Sequence, residues 1–449
     1  MEMWISIIGV ILGVVVLVVG AYKGLAALPL TLAASAVVIA SNGMDWWESY
    51  AYFYINGYLS FFRNFFLIFV TSALYAKIME ETGAAIAIGY KFVDWFGAKR
   101  AVLVVLLTTA VLTYGGVSLF VVIFAIAPII MILFNEANIP RAFAMGPLLI
   151  GAATFTMKSL PGSPQATNIV PTTFLGTDMN AGAWMGIVAS VFMFVFGVIY
   201  LNWEEKRLRR KGEHFEFIPG TDVSKYKVDR SELPSAFISF LPMIVVVGII
   251  IIWGILIRQN EWETASATTV VVSMLIASIL AILLNWEKVK SYQGGGLKGM
   301  INTGTGGALT AIAAPAAIVA FGGVVQNSPA FHTIVDYLLG LQMHPYVMAS
   351  LAPSVIAGIT GSSSGGLLIA MQSLSDYFIE SGADLGTIHR LSSMFAGTFD
   401  TLPHSTALFL MFGYLGITHK EGYRYVWWGT TIIPTIVGLM MLAVAMVMG

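Results

Sequence analysis

The sequence predicts an all-α polytopic membrane protein made of two inverted repeats, each with a re-entrant hairpin and a broken (discontinuous) transmembrane helix. Three observations lead there. The 449 residues are 57% hydrophobic and only 10% charged, with a mean hydropathy of +0.83, and they fall into successive apolar runs long enough to cross a bilayer. One polar, proline-bearing interruption occurs twice, as Lys158-Ser159-Leu160-Pro161-Gly162-Ser163 and Asp400-Thr401-Leu402-Pro403-His404-Ser405, 242 positions apart (402 − 160 = 242). Such breaks at membrane depth are tolerated only where protein or a water-filled cavity receives the freed backbone groups, and matched breaks in two halves mark a mid-membrane site between repeats. The third observation is an uneven distribution of Lys and Arg among the loops, which sets the orientation of each half.

Apolar spans lie near 3–21, 24–41, 60–79 and 184–201 in the first half, and near 236–257, 266–284, 303–325 and 427–448 in the second. Other markers keep nearly the same offset: Asp45 with Glu287 (287 − 45 = 242), and Tyr114-Gly115-Gly116 with Thr360-Gly361 at 245. A fixed offset at several points indicates duplication. The halves are therefore read as 1–201 and 236–449, joined by a hydrophilic linker at 202–235 that opens Glu204-Glu205-Lys206-Arg207-Leu208-Arg209-Arg210-Lys211. Positive charge places this linker in the cytoplasm. Tracing outward, the loops with Lys23, Lys91, Lys99, Arg100, Arg141, Lys288, Lys290, Lys298, Lys420 and Arg424 fall inside, whereas 176–182 and 326–345 carry no Lys or Arg and fall outside. Arg258 is an outside exception, and Arg63 and Arg390 are read as lying near outer span ends. Each half then crosses an odd number of times, so both termini are expected outside. The first residues, Met1-Glu2-Met3, lack the features of a signal peptide, so the first span is expected to be retained.

Residues 101–134 supply about 51 Å of helix at about 1.5 Å per residue, whereas two crossings need roughly 60 Å. A re-entrant hairpin with its tip at Tyr114-Gly115-Gly116-Val117-Ser118 fits better. Its partner is 346–378, with the tip Thr360-Gly361-Ser362-Ser363-Ser364-Gly365-Gly366. Trp46, Trp47, Tyr50, Tyr52, Tyr54, Trp427 and Trp428 read as interfacial anchors. Residues 44–58 are expected as an amphipathic helix on the outer surface, matched inside by 286–300.

Glycine and serine at a tip let N–H groups and hydroxyls line a cavity, and helix N-termini after each tip favour an anion. Gly361, Ser362, Ser363 and Ser364 are thus candidate carboxylate ligands. Around the first break, Ser159, Gly162, Ser163, Gln165, Thr167 and Asn168 offer groups suited to substrate hydroxyls, and Thr401 and Ser405 do so at the second. Lys158 and Asp400 occupy equivalent positions (400 − 158 = 242), and ionisable groups at membrane depth are functional by default. Either they pair across the repeat interface, or Lys158 meets a substrate carboxylate while Asp400 carries a coupling proton. His404 is the second proton candidate. His214, His332, His344 and His419 are read as ordinary loop residues.

The net charge of −1 and the lack of a basic arm exclude nucleic acid as a partner. There is no cysteine, no metal-ligand spacing and no phosphate-binding loop, so neither cofactor nor direct use of ATP is expected. An intramembrane enzyme using Asp400 with His404 is the alternative from another class.

At Ile359-Thr360-Gly361-Ser362-Ser363-Ser364-Gly365-Gly366, and at Asp400-Thr401-Leu402-Pro403-His404-Ser405 followed by Gly416-Ile417-Thr418-His419-Lys420-Glu421-Gly422-Tyr423, the chain resembles the gluconate permease family of the ion transporter superfamily. The likeness runs over nearly the whole length. It implies a proton-coupled symporter of small hydroxy-carboxylates in the inner membrane, dimeric, with sodium as the alternative ion. It also implies an elevator, with scaffold parts near 1–80, 183–201, 236–325 and 427–448 and transport parts near 81–182 and 326–426. Where the gluconate-specific branch has a Pro-Pro-His-Pro-Gly-Pro type break, this chain has Leu160-Pro161-Gly162-Ser163-Pro164, and it lacks that branch's Asn-Asp pattern near 400. It looks closest to the branch for 3-hydroxybutyrate.

Overall fold

Backbone withdrawn from water must satisfy its own hydrogen bonds, and the apolar runs do so as helices. The computed structural model describes residues 2–23, 25–114, 119–163, 165–217, 230–260, 266–340 and 343–448, and every regular element among them is helical. The first tip at 115–118, Pro164, the middle of the linker and the side chain of Arg258 lie outside the described residues.

In the first half, α1 (Glu2–Tyr22) pairs with α2 (Ala27–Ser41). α3 (Trp46–Glu81) is one helix of 36 residues. The separate surface helix expected at 44–58 is therefore corrected to the first turns of α3. Asp45 caps α3 by accepting from the Glu48 N–H at 2.7 Å, and the chain passes through a π-helical turn, Ser49–Tyr54, straight into the apolar span. Tyr50 and Tyr54 tie that stretch to α2 through the Leu32 carbonyl (2.7 Å) and the Thr31 hydroxyl (2.8 Å). Trp47, 77% exposed, is left facing outward. Next come α4 (Ala84–Phe96), α5 (Ala101–Tyr114) and α6 (Leu119–Ala137). α7 joins Met145–Leu149, a π-helical Ile150–Phe155 and Thr156–Lys158; after it the chain leaves helix until α8 (Ala166–Leu175), and α9 (Ala183–Arg210) closes the half.

The second half contains α10 (Ala236–Asn260) and α11 (Ser266–Leu284). Residues 286–300 divide between a short helix, Trp286–Lys290, a turn, and the start of α12 (Gly296–Gln326). Beyond α12 lie α13 (Pro329–Gly340), α14 (Pro345–Thr360), α15 (Ser363–Glu380), α16 (Leu385–Ala396) and α17 (Thr406–Leu415). α18 runs His419–Met448 through a π-helical Trp427–Ile432.

Two packing groups emerge. In one, α3 lies along α12, with α1 and α2 on one flank and α10 and α11 on the other. Gly57 makes this approach close, since a Cβ there would meet the Val319 carbonyl at 2.8 Å. In the other, α5 packs on α7 and α6 on α17, while α14 packs on α16 and α15 on α8, so one pattern of neighbours recurs in both halves. α9 and α18 lie together and touch α7 and α16. The C-terminal end of α9 and the first turns of α18 are joined at Glu204, wholly buried, which accepts from Arg207 (2.9 Å) and Arg424 (2.8 Å).

The α14–α15 pair turns at Gly361, whose φ of +63° is left-handed. Ser362 then caps α15 by accepting from the Gly365 N–H at 3.2 Å. Gly366 sits against the backbone of Ala357 with no room for a Cβ. Gly366→Val should therefore lower stability by about 1–3 kcal/mol, seen as a reduced unfolding midpoint of the purified protein in detergent.

Candidate functional site

Lys158 ends α7 because the next residues cannot continue a helix: Pro161 has no N–H and Gly162 takes φ +74°. α16 ends at Ala396, and the chain stays irregular past Pro403 and Ser405 until Thr406 begins α17. The two interruptions meet. Lys158 Nζ is 3.2 Å from Asp400 Oδ1 and also donates to the Gly397 carbonyl. The lysine stem lies across Gly397, where any Cβ would overlap it. With residue exposures of 1% and 5%, the pair is closed from solvent in this conformation. Its attraction is large in such surroundings, as is the penalty for removing one partner.

The other predicted residues divide by partner. Ser159 Oγ donates to the Phe155 carbonyl (3.0 Å) and shares a hydrogen bond with Ser190 of α9 (2.8 Å). Thr401 Oγ1 shares one with Thr430 of α18 at 2.5 Å. Each residue after the charged position thus engages the last helix of its own half. At the first break, Gly162 N donates to the Met179 carbonyl (2.8 Å), Gln165 Nε2 to the Thr113 carbonyl (2.8 Å) and Tyr114 Oη to the Pro161 carbonyl (3.3 Å), which ties the break to the end of α5. Thr167 Oγ1 donates to the Met157 carbonyl at 2.6 Å. Asn168 Nδ2 donates to the carbonyls of Ser163 and Met179, both at 2.9 Å. Ser163 Oγ is buried without a hydrogen-bond partner among the described residues.

At the second break, His404 is wholly buried beside the backbone of Gly358 and Ile359, and neither ring nitrogen makes a well-formed hydrogen bond to a described residue. Its ring abuts the tip: a Cβ on Gly361 would meet His404 Cδ2 at 2.8 Å and Ser405 Cα at 3.4 Å. Ser363 and Ser405 are buried, Ser364 is half-buried, and the Ser362 hydroxyl is committed to its cap. An apolar crevice of about 100 Å³, lined by Phe92, Val104, Thr108 and Met243, lies apart from these groups.

Sequence reasoning missed several residues. Arg390, read as lying near an outer span end, is fully buried. It donates to the Ala181 carbonyl (2.7 and 3.1 Å), the Met179 and Ser159 carbonyls (both 3.3 Å) and Asn168 Oδ1 (3.0 Å). Beside it, the wholly buried His389 reaches Asn168 Oδ1 (3.1 Å) and Thr177 Oγ1 (2.7 Å). His419, read as an ordinary loop residue, is buried and holds the Pro403 carbonyl at 2.8 Å. The rule that singled out Lys158 and Asp400 covers Arg390 too, once α16 is seen to begin at Leu385. Among the described residues, no His, Cys, Asp and Glu cluster is arranged to hold a metal.

A family profile described as GntP family permease matches residues 1–448. YxjC, an uncharacterized transporter of Bacillus subtilis (strain 168), is 33% identical over 405 residues, covering 84% of each chain. An uncharacterized transporter of Haemophilus influenzae is 22% identical over 383 residues, covering 84% of this chain and 82% of its own. Among solved structures, the Alcanivorax borkumensis YdaH transporter aligns over 96% of this chain and 98% of its own, at 14% identity and a TM-score of 0.47. Neisseria gonorrhoeae MtrF, described as illuminating a class of antimetabolite efflux pumps, aligns over 98% of this chain and 94% of its own, at 13% identity and a TM-score of 0.47.

Arg390→Ala would leave buried oxygens on Ser159, Asn168, Met179 and Ala181 without this donor. At about 1–3 kcal/mol for a buried group left unsatisfied, the variant should unfold well below the wild type in a thermal melt, and Arg390→Lys should recover only part of the loss.

Proposed function

The chain belongs to the GntP permease family and is a membrane transporter rather than an enzyme, and on that premise we propose that it imports a small hydroxy-monocarboxylate together with a proton. The observation that carries this reading is the buried Lys158–Asp400 pair between two helix interruptions. It offers one cation for one carboxylate and one acid for one proton. Three-hydroxybutyrate fits this better than gluconate, since a chain with a single hydroxyl asks for few polar partners, which Ser163, Ser363, Ser364 or Ser405 would supply.

The recurring neighbour pattern of α5–α7 with α17 and α14–α16 with α8 supports inverted repeats, with 202–235 cytoplasmic and both termini outside. Alternating access by an elevator accords with this arrangement, in a homodimer. The sequence-based division would leave 183–201 and 427–448 with the fixed part. Their hydroxyl bonds to Ser159 and Thr401 instead favour α9 and α18 travelling with the broken helices. The framework is then α1–α3 with α10–α13.

Proteoliposomes holding the purified chain should accumulate labelled 3-hydroxybutyrate when the outside is made acidic, and Asp400→Asn should abolish uphill accumulation. Accumulation driven by a sodium gradient at equal pH on both sides would overturn proton coupling. Preference for gluconate would overturn the substrate.

A further inference from the structure

Resting on the proposed symport, we infer that the substrate carboxylate binds by taking the place of Asp400 on Lys158, and that Asp400 becomes the proton carrier because it is displaced. The Lys158 ammonium already has two acceptors, Asp400 Oδ1 and the Gly397 carbonyl, of the three its protons can serve. Arg390 offers no substitute, since its N–H groups are engaged by Ser159, Asn168, Met179 and Ala181. Among the described residues, a carboxylate entering between the breaks meets one usable cation, and that cation is holding an anion.

Charge balance then ties the two solutes together. The empty site is neutral, one ammonium against one carboxylate. The fully loaded site is neutral as well: ammonium, substrate carboxylate and protonated Asp400. Substrate alone leaves one negative charge in excess, and a proton alone leaves one positive. Uncompensated charge is costly where the partners are almost wholly buried. In the exchange, a proton from the aqueous phase bonds to an Asp400 oxygen, the Lys158–Asp400 contact is lost and a Lys158–substrate contact replaces it. No electrons are transferred and Lys158 keeps its charge. Among the described residues, the titratable groups facing Asp400 are Lys158 from α7 and Tyr423 from α18, with His404 further along its own segment. Tyr423 Oη has no hydrogen-bond partner among the described residues, so it is free to donate to the displaced carboxyl or to the arriving anion. The same balance excludes dicarboxylates, which carry one charge too many.

The test is calorimetric binding of 3-hydroxybutyrate to the purified full chain across a pH series. Where Asp400 is ionised in the empty site, wild-type affinity should fall about tenfold per pH unit as one proton is taken up per ligand. Asp400→Asn should vary less than about twofold over the same range, and Lys158→Gln should bind at least about tenfold more weakly throughout. Succinate should not compete. A wild-type affinity independent of pH overturns the exchange, as does a wild-type slope in Asp400→Asn or competition by succinate. The wild-type slope needs no variant, so it decides even where a substitution prevents folding. Infrared difference spectra of the ligand-free wild type against Asp400→Asn form a separate arm: an ionised carboxylate at neutral pH is expected, and a protonated one overturns the exchange whatever the substrate. Failure of the wild type to bind or accumulate 3-hydroxybutyrate counts against the hydroxy-acid function, and the infrared result then decides the exchange.

Discussion

A helix that stops inside a bilayer releases carbonyls and N–H groups that lipid cannot satisfy, and this architecture depends on where those groups find partners. The two interruptions satisfy one another. Arg390, from the second half, takes the carbonyl of Ser159 at the end of α7. Lys158, from the first half, takes the carbonyl of Gly397 at the end of α16. Asn168 and His419 complete the arrangement by holding Ser163 and Pro403. Neither break is satisfied without residues from outside it, so the halves must close on each other at this point.

The matched positions of the two halves share some contacts and differ in the groups that carry charge. Ser159 and Thr401 keep one role in both halves, a hydroxyl pair with the last helix. Lys158 and Asp400 stand at the same offset with opposite charge, which is what lets the two halves form an ion pair here rather than repel. The positions equivalent to Arg390 and His404 are Leu148 and Gly162 (390 − 242 = 148; 404 − 242 = 162). Guanidinium and imidazole therefore enter the site from one half only.

Much of this is legible in the sequence because hydropathy reports directly on burial and spacing on which positions of the two halves match. The apolar runs coincide with α1, α2, α9 to α12 and the later part of α18, and the matched Leu-Pro steps fall in the non-helical stretches that follow α7 and α16. What a side chain touches is set by helix phase and by neighbours from distant sequence, and composition is silent on both. Ser159 and Thr401 are thus expected at a ligand yet engage flanking helices. Residues 44–58 look like a surface helix because their aromatics are amphipathic, while no residue there forces the chain to turn before α3 enters its apolar span. The burial of Arg390 is missed for a related reason: loop charge sets the end of a span only to within a turn or two, and Arg390 lies six residues, nearly two turns, beyond Asp384, which caps α16.

The lysine stem rests where a methyl group on Gly397 would stand, so an uncharged position fixes how far the ammonium can extend. Even alanine there would oblige the stem to move without altering either charge. The electrostatics of the centre are thereby under steric control: a single carbon added to a residue that carries no charge at all would disturb the seat of the ammonium.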